Sequence, residues 1–268
     1  MSPSIRTSDP HAALDEALAL CRQAGRAALM PYLTAGWPTL EALPDLVAAA
    51  VLGGADALEV GIPFSDPLAD GPILQAASEE ALAAGFTLDA FWPVLERAAR
   101  QVPVLVMTYL NPVMARGTER FLDEARAAGA AGLIIPDLPW VESAAMRQAA
   151  RRRRLHLIPM AAPTSTAEHL EGLRSASGFV YAVSVTGVTG VRASLEAGVI
   201  PFVDRLRTSV ALPVAVGFGI STPEQAREVG RHADAVIFAS ALMRRLAERR
   251  DDPVQAAREF VESFRAAL

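Results

Sequence analysis

Eight short apolar runs separated by alanine- and leucine-rich segments predict an α/β fold, a single-domain (β/α)8 TIM barrel with an extra N-terminal helix. The runs are apolar throughout rather than alternating, as parallel strands covered on both faces must be. The segments between them repeat their apolar residues at 3.6-residue spacing. Eight such units in about 240 residues match the size of one barrel, with a doubly wound open sheet as the rival arrangement. No composition break or linker divides residues 1–268, so they read as one domain.

Residues 1–9 read as a flexible polar arm, and an amphipathic helix around 10–25 is expected to cover the barrel floor. The expected strands are "AALMPYLT" (27–34), "DALEVG" (56–61), "PVLVMTY" (103–109), "AGLIIPD" (131–137), "LHLIPMA" (155–161), "GFVYAVS" (178–184), "LPVAVGFG" (212–219) and "DAVIFAS" (234–240). After the second strand come two helical segments, "PILQAASEEALAAG" and "TLDAFWPVLERAARQ". The run Arg151–Arg154 closes a helical pattern, where positive charge meets the negative end of the helix dipole. Ser221 and Glu224 have capping-box spacing before the helix that follows strand seven. A terminal helix carries Phe260 and Phe264 as a core-facing stripe.

Composition excludes several classes of function. A net charge of −5 argues against a nucleic-acid footprint. A single cysteine, Cys21, excludes a disulfide framework, and the four histidines show no metal-ligand spacing. No apolar run reaches the ~20 residues of a membrane helix and no signal peptide is evident, so a cytoplasmic location is expected. All 25 basic residues are arginine. Without lysine, Schiff-base chemistry and a covalent pyridoxal site on this chain are both excluded.

In such a barrel the chemistry sits at the C-terminal ends of the strands. "LEVGIPFSDPLADGP" (58–72) places Glu59 in an apolar strand and Asp70 on the polar loop behind it. An unpaired carboxylate there is costly unless solvated or shifted in pKa, which marks Glu59 as a catalytic candidate. Turn chemistry alone would account for Asp70, and Asp56 reads as a solvated residue at the strand entrance. Tyr32 and Thr34, Tyr109 and Asn111, Asp137, and Tyr181 and Ser184 end other strands. Each tyrosine fits either packing or binding.

"GFGIST" brings Gly217, Phe218 and Gly219 to the end of strand seven, and strand eight runs through Ala239 into a helix opening at Ser240. Glycine loops backed by helix N-termini are the usual phosphate site of a barrel. "TGVTG" (186–190) adds a third glycine-rich loop. A phosphorylated small molecule handled by carboxylate acid–base chemistry is the reading these residues support.

"PYLTAGWP", "ADALEVGIPFSDPLADGPILQ", "SVTGVTGVR" and "VGFGISTPEQ" resemble the signature segments of the tryptophan synthase alpha subunit family, in order, from residue 29 onward. The resemblance implies cleavage of indole-3-glycerol phosphate to indole and glyceraldehyde 3-phosphate. It implies that Glu59 is the acid–base carboxylate, Asp70 the second catalytic carboxylate and Tyr181 a neighbour of the substrate. Thr189 would close toward Asp70, and Gly190, Gly219, Ala239 and Ser240 would hold the phosphate. It further implies an α2β2 assembly with a beta chain that carries pyridoxal phosphate, this chain having no cofactor of its own. The contact surface would adjoin Pro63–Pro72 and Asn111–Met114. Departures from the family pattern are Trp37, Val185 and the Ala239–Ser240 pair. A stand-alone lyase releasing free indole would use the same residues. An enzyme forming indole-3-glycerol phosphate would be expected to use a lysine acid.

Overall fold

A computed structural model of the chain describes residues 9–183, 195–217 and 219–268. Among them nine parallel strands form one sheet: β1 (Ala28–Thr34), β2 (Leu58–Gly61), β3 (Val104–Met107), β4 (Ala130–Ile134), β5 (His156–Ile158), β6 (Met160–Ala161), β7 (Val180–Val183), β8 (Val214–Gly217) and β9 (Ala235–Phe238). Their hydrogen-bonded order is β5-β4-β3-β2-β1-β9-β8-β7-β6. The two ends of that order, β5 and β6, are consecutive in the chain and separated by Pro159 alone, so the sheet is a nearly closed barrel.

The run 155–161, expected as one strand, is therefore two. Pro159 has no N–H to give a ladder. Its carbonyl instead accepts from the Tyr181 N–H at 2.9 Å. β5 pairs with β4 and β6 with β7, so the two short pieces share one barrel position.

The helices are α1 (Pro10–Gln23), α2 (Leu43–Leu52), α3 (Pro72–Ala83), α4 (Leu88–Ala99), α5 (Leu110–Arg116), α6 (Thr118–Ala127), α7 (Ala144–Arg152), α8 (Ala167–Gly172), α9 (Leu195–Ser209), α10 (Pro223–Gly230), α11 (Ser240–Glu248) and α12 (Pro253–Arg265). α1 turns Leu14, Leu18 and Cys21 inward and lays its His11 ring on His156, the first residue of β5. The helix thus covers the N-terminal end of the barrel, as expected. Phe264 on α12 is fully buried against Phe238 of β9, ring centroids 4.3 Å apart, and Phe260 joins the cluster. The arginine run ends α7, where Arg152 and Arg153 pair with Glu119 and Arg153 also with Asp123.

Four local readings are corrected. Asn111 lies in α5 rather than at a strand end, because β3 stops at Met107 and Tyr109 caps the helix. Asp137, also beyond its strand, accepts from the Leu110 N–H at 2.9 Å and so holds the start of α5. The capping box belongs to Thr222 and Gln225, not Ser221 and Glu224. Pro223 disfavours the helical region for the residue before it and is itself suited to the first helical position, so the cap falls on Thr222. Asp56 is not solvated. It is 7% exposed, accepts from Arg26 at 2.7 and 2.8 Å, from Arg265 at 3.0 Å and from the Leu29 N–H at 2.9 Å. That carboxylate ties the entrances of β1 and β2 to the last residue of α12.

Candidate active site

Glu59 is the second residue of β2, in register with Tyr32 on β1 and Leu105 on β3. Its hydrogen bond with Tyr181 on β7 crosses the barrel interior, so the carboxyl group points inward. The residue is 4% exposed, and its Oε2 has no hydrogen-bond partner among the described residues. Burial, and then the charge of Asp70, push its pKa up to about 8, while the Tyr181 hydrogen bond pulls the other way. At neutral pH this is a carboxylic acid with a proton to give. Among the described residues no arginine pairs with it: Arg116, which follows the end of β3, is taken by Asp89 and Glu124.

Asp70 sits half-buried on the loop between β2 and α3. The Tyr109 hydroxyl donates to its carboxylate and accepts from the Ala69 N–H at 3.0 Å, so one phenol pins the loop to the end of β3. The Asp70 N–H donates to Pro67 O at 3.0 Å and Gln75 donates to Asp70 O at 2.8 Å, which fix the turn into α3. Burial raises the Asp70 pKa to about 6, opposed by the Tyr109 hydrogen bond. Near neutral pH it stays largely ionised. The two carboxyl groups are thus poised in different protonation states, the usual sign of an acid and an electrostatic stabiliser sharing a site.

The tyrosines are housed by glycines. A Cβ on Gly61 would lie 1.9 Å from the Tyr32 hydroxyl, and one on Gly217 would lie 2.2 Å from that of Tyr181. The missing Cβ atoms at the ends of β2 and β8 therefore give two phenols room beside Glu59. For Gly217 this is a more specific role than the open approach to a ligand read from the sequence. The Tyr32 hydroxyl also meets Thr34 Oγ1 at 3.4 Å.

At the other rim position, α11 begins at Ser240 after Ala239, which has no side-chain oxygen to cap it. Uncapped N–H groups at a helix start suit an anionic ligand. Gly219, exposed and at φ +77°, lies on the neighbouring loop. A Cβ on Gly71, the cap of α3, would come within 3.9 Å of Ser240 Oγ. The Asp70 loop and the start of α11 are therefore neighbours, a proximity that seven intervening strands of chain conceal. Thr189, Gly190 and Phe218, together with Ser184 and Val185, lie outside the described residues. Trp37 is buried, and its Nε1 donates to Glu80 at 3.0 Å, while Arg250 binds the same carboxylate at 2.7 and 2.8 Å.

The tryptophan synthase alpha chain family model matches residues 18–267. The chain belongs to the tryptophan synthase alpha chain family. It is 45% identical over 240 residues to the tryptophan synthase alpha chain of Synechococcus elongatus, covering 88% of this chain and 90% of that one. With the alpha chain of Roseiflexus castenholzii it shares 47% identity over 232 residues, 85% of this chain and 89% of the relative. Among solved structures, tryptophan synthase subunit alpha from Legionella pneumophila superposes with a TM-score of 0.89 at 35% identity, covering 95% and 97% of the two chains. Tryptophan synthase from M. tuberculosis gives 0.85 at 35% identity, covering 95% and 98%. The (β/α)8 alpha-chain fold expected from the sequence is thus the fold observed.

Proposed function

We propose that this chain cleaves indole-3-glycerol phosphate to indole and glyceraldehyde 3-phosphate, with Glu59 and Asp70 as its catalytic residues. The observation that carries the reading is the inward-facing Glu59 carboxyl, raised to about 8 and beside a charged Asp70. Cleavage is a retro-aldol step in which an indole ring carbon leaves. Protonated Glu59 gives its proton to that carbon, which turns the ring into an electron sink. The carboxylate so formed takes the proton of the side-chain hydroxyl as the carbon–carbon bond breaks and the aldehyde forms, so the proton balance closes on one group. Ionised Asp70 accepts the indole N–H and stabilises the positive charge that develops on the protonated ring.

Tyr32, Tyr109 and Tyr181 bound the pocket around the two carboxyls, and Gly217 gives Tyr181 its place. The N–H groups at Gly219, Ala239 and Ser240, with that of Gly190, hold the phosphate, Phe218 is a further substrate-binding residue, and Thr189 closes over Asp70. No cofactor takes part on this chain. Indole passes to a beta chain carrying pyridoxal phosphate, in an α2β2 assembly. Leu68 at 90% exposure and Met114 at 64% present apolar side chains on the two segments expected to meet that partner. The test is indole formation from indole-3-glycerol phosphate, with and without the beta chain and with Glu59→Gln alongside. Turnover dependent on Glu59 is expected, and wild-type-like turnover by Glu59→Gln overturns the assignment.

A further inference from the structure

We propose that His11, Asp15 and His156 form a binding site for a divalent transition-metal ion of the zinc class, at the end of the barrel opposite the strand C-termini. His11 and Asp15 lie one turn apart on α1 and so share a helix face. His156 opens β5, 145 residues further on, which is why spacing along the chain shows no ligand pattern.

One ligand atom from each of the three side chains falls within 4.8 Å of the others. His156 Nε2 is 3.3 Å from Asp15 Oδ1, and His11 Nδ1 is 3.9 Å from Asp15 Oδ2. Donors on one tetrahedral ion, each about 2.0–2.1 Å from it, stand about 3.4 Å apart. The His156 edge already has that separation, while His11 meets the other carboxylate oxygen and has to move toward the one they would share. The His11 and His156 rings are stacked, centroids 3.6 Å apart at 15°. Turning the partly exposed His11 ring out of the stack toward Asp15 converges all three donors.

The donor chemistry selects the ion. Two imidazole nitrogens and one carboxylate oxygen suit zinc, cobalt or nickel, whereas calcium and magnesium call for oxygen ligands throughout. Three protein ligands leave a position for water, and the half-exposed Asp15 gives the ion a way in. The ring of buried His156 is held from behind, its Nδ1 lying 2.9 Å from Ser177 Oγ. With the Nδ1 proton donated to that hydroxyl, the Nε2 lone pair faces Asp15, the outer hydrogen bond that metal-binding histidines characteristically make. Before an ion binds, Nε2 lies 3.2 Å from His11 O and can donate to it, so binding switches the tautomer. The neighbouring cations Arg126 and Arg154 are both paired with Asp9. An ion here clamps α1 to the start of β5 and stabilises the docked helix by mass action. It takes no part in carbon–carbon cleavage.

The test is calorimetric titration of the chelator-treated full chain with Zn2+, with Co2+ absorption as a probe of geometry. One ion per chain is expected, with a dissociation constant of about micromolar, together with a zinc-dependent rise in the thermal midpoint. His11 is partly exposed and Asp15 half-exposed, so His11→Ala and Asp15→Asn both leave the core-facing Leu14, Leu18 and Cys21 in place. Each should weaken binding at least about tenfold and abolish the rise, and both should leave metal-free indole formation unchanged. Absence of binding by the wild-type chain overturns the site. So does binding that survives both substitutions, which would belong to another histidine.

Discussion

A carboxyl buried on a strand is held neutral by its surroundings or costs the fold stability, and Glu59 expresses that choice as a pH dependence. Its pKa lies near 8 in the folded chain against an ordinary value of 4.5. The folded state therefore holds a proton that the unfolded state gives up between those values. Stability attributable to protonated Glu59 is full below about 4.5 and is lost as pH rises through about 8. Glu59→Gln, which cannot ionise, should accordingly gain stability over wild type as pH rises through that window. Each pKa unit carries ~1.4 kcal/mol, so the gain is at most a few kcal/mol, read from denaturant midpoints at pH 5 and pH 9. A constant difference between the two variants would contradict it.

The same two groups set the rate profile. Asp70 must be ionised and Glu59 protonated at the start of cleavage, so kcat/KM should be bell-shaped with apparent values near 6 and 8, belonging to the coupled pair. Asp70→Asn should lower kcat about 10²–10³-fold, as loss of an electrostatic stabiliser does. It should also remove the acid limb and shift the alkaline limb downward, because the charge that helps hold Glu59 protonated is gone. An unmoved alkaline limb would show that Asp70 does not reach Glu59. Glu59 was legible in the sequence because an acidic side chain inside an apolar strand is costly to bury and has few structural uses there. Asp56, three residues earlier, was not, because its partners Arg26 and Arg265 lie 30 and 209 residues away.

At the scale of the element, periodicity revealed what kinds of structure follow one another, and local backbone chemistry decided where each stops. Pro159 divides an apolar run that looks continuous, and Pro223 moves a helix cap by one residue. Thr222→Ala should therefore cost ~1 kcal/mol, the usual value of an N-cap, while Ser221→Ala should cost clearly less. Equal losses would return the cap to Ser221. Asp56 provides the corresponding test between elements. Asp56→Asn leaves the guanidinium groups of Arg26 and Arg265 without their common counter-charge in a half-buried place. A loss of about 3 kcal/mol is expected in equilibrium unfolding, comparable to breaking a buried pair by removing one partner. A loss of less than about 1 kcal/mol, the scale of an exposed pair, would mean that water replaces the carboxylate. Neither contact is visible to sequence periodicity, which reports the face an element buries and not the distant residue it meets.

At the scale of the whole molecule, the barrel turns consecutive units into neighbours on one rim. The loop after β2 carries Leu68, and α5, following β3, carries Met114. Both are exposed apolar side chains, Leu68 on the very loop that Tyr109 pins through Asp70 and Ala69 and Met114 on the helix that Tyr109 opens. Water around such side chains is released when a partner covers them, and covering Leu68 constrains the loop that holds Asp70 two residues later. A partner that binds the ordered loop better than the free one raises the population able to catalyse, by its differential affinity for the two states. The proposed beta chain would act in this way, and it would also receive indole, a small apolar product, before it diffuses off. Mixing the two chains should raise indole production well above that of the isolated chain. Leu68→Asp and Met114→Asp should reduce that rise by raising the concentration of beta chain required, with little change in the basal rate. If the isolated chain is fully active and saturating beta chain leaves its rate unchanged, the rim does not couple to the site and the chain is a stand-alone lyase.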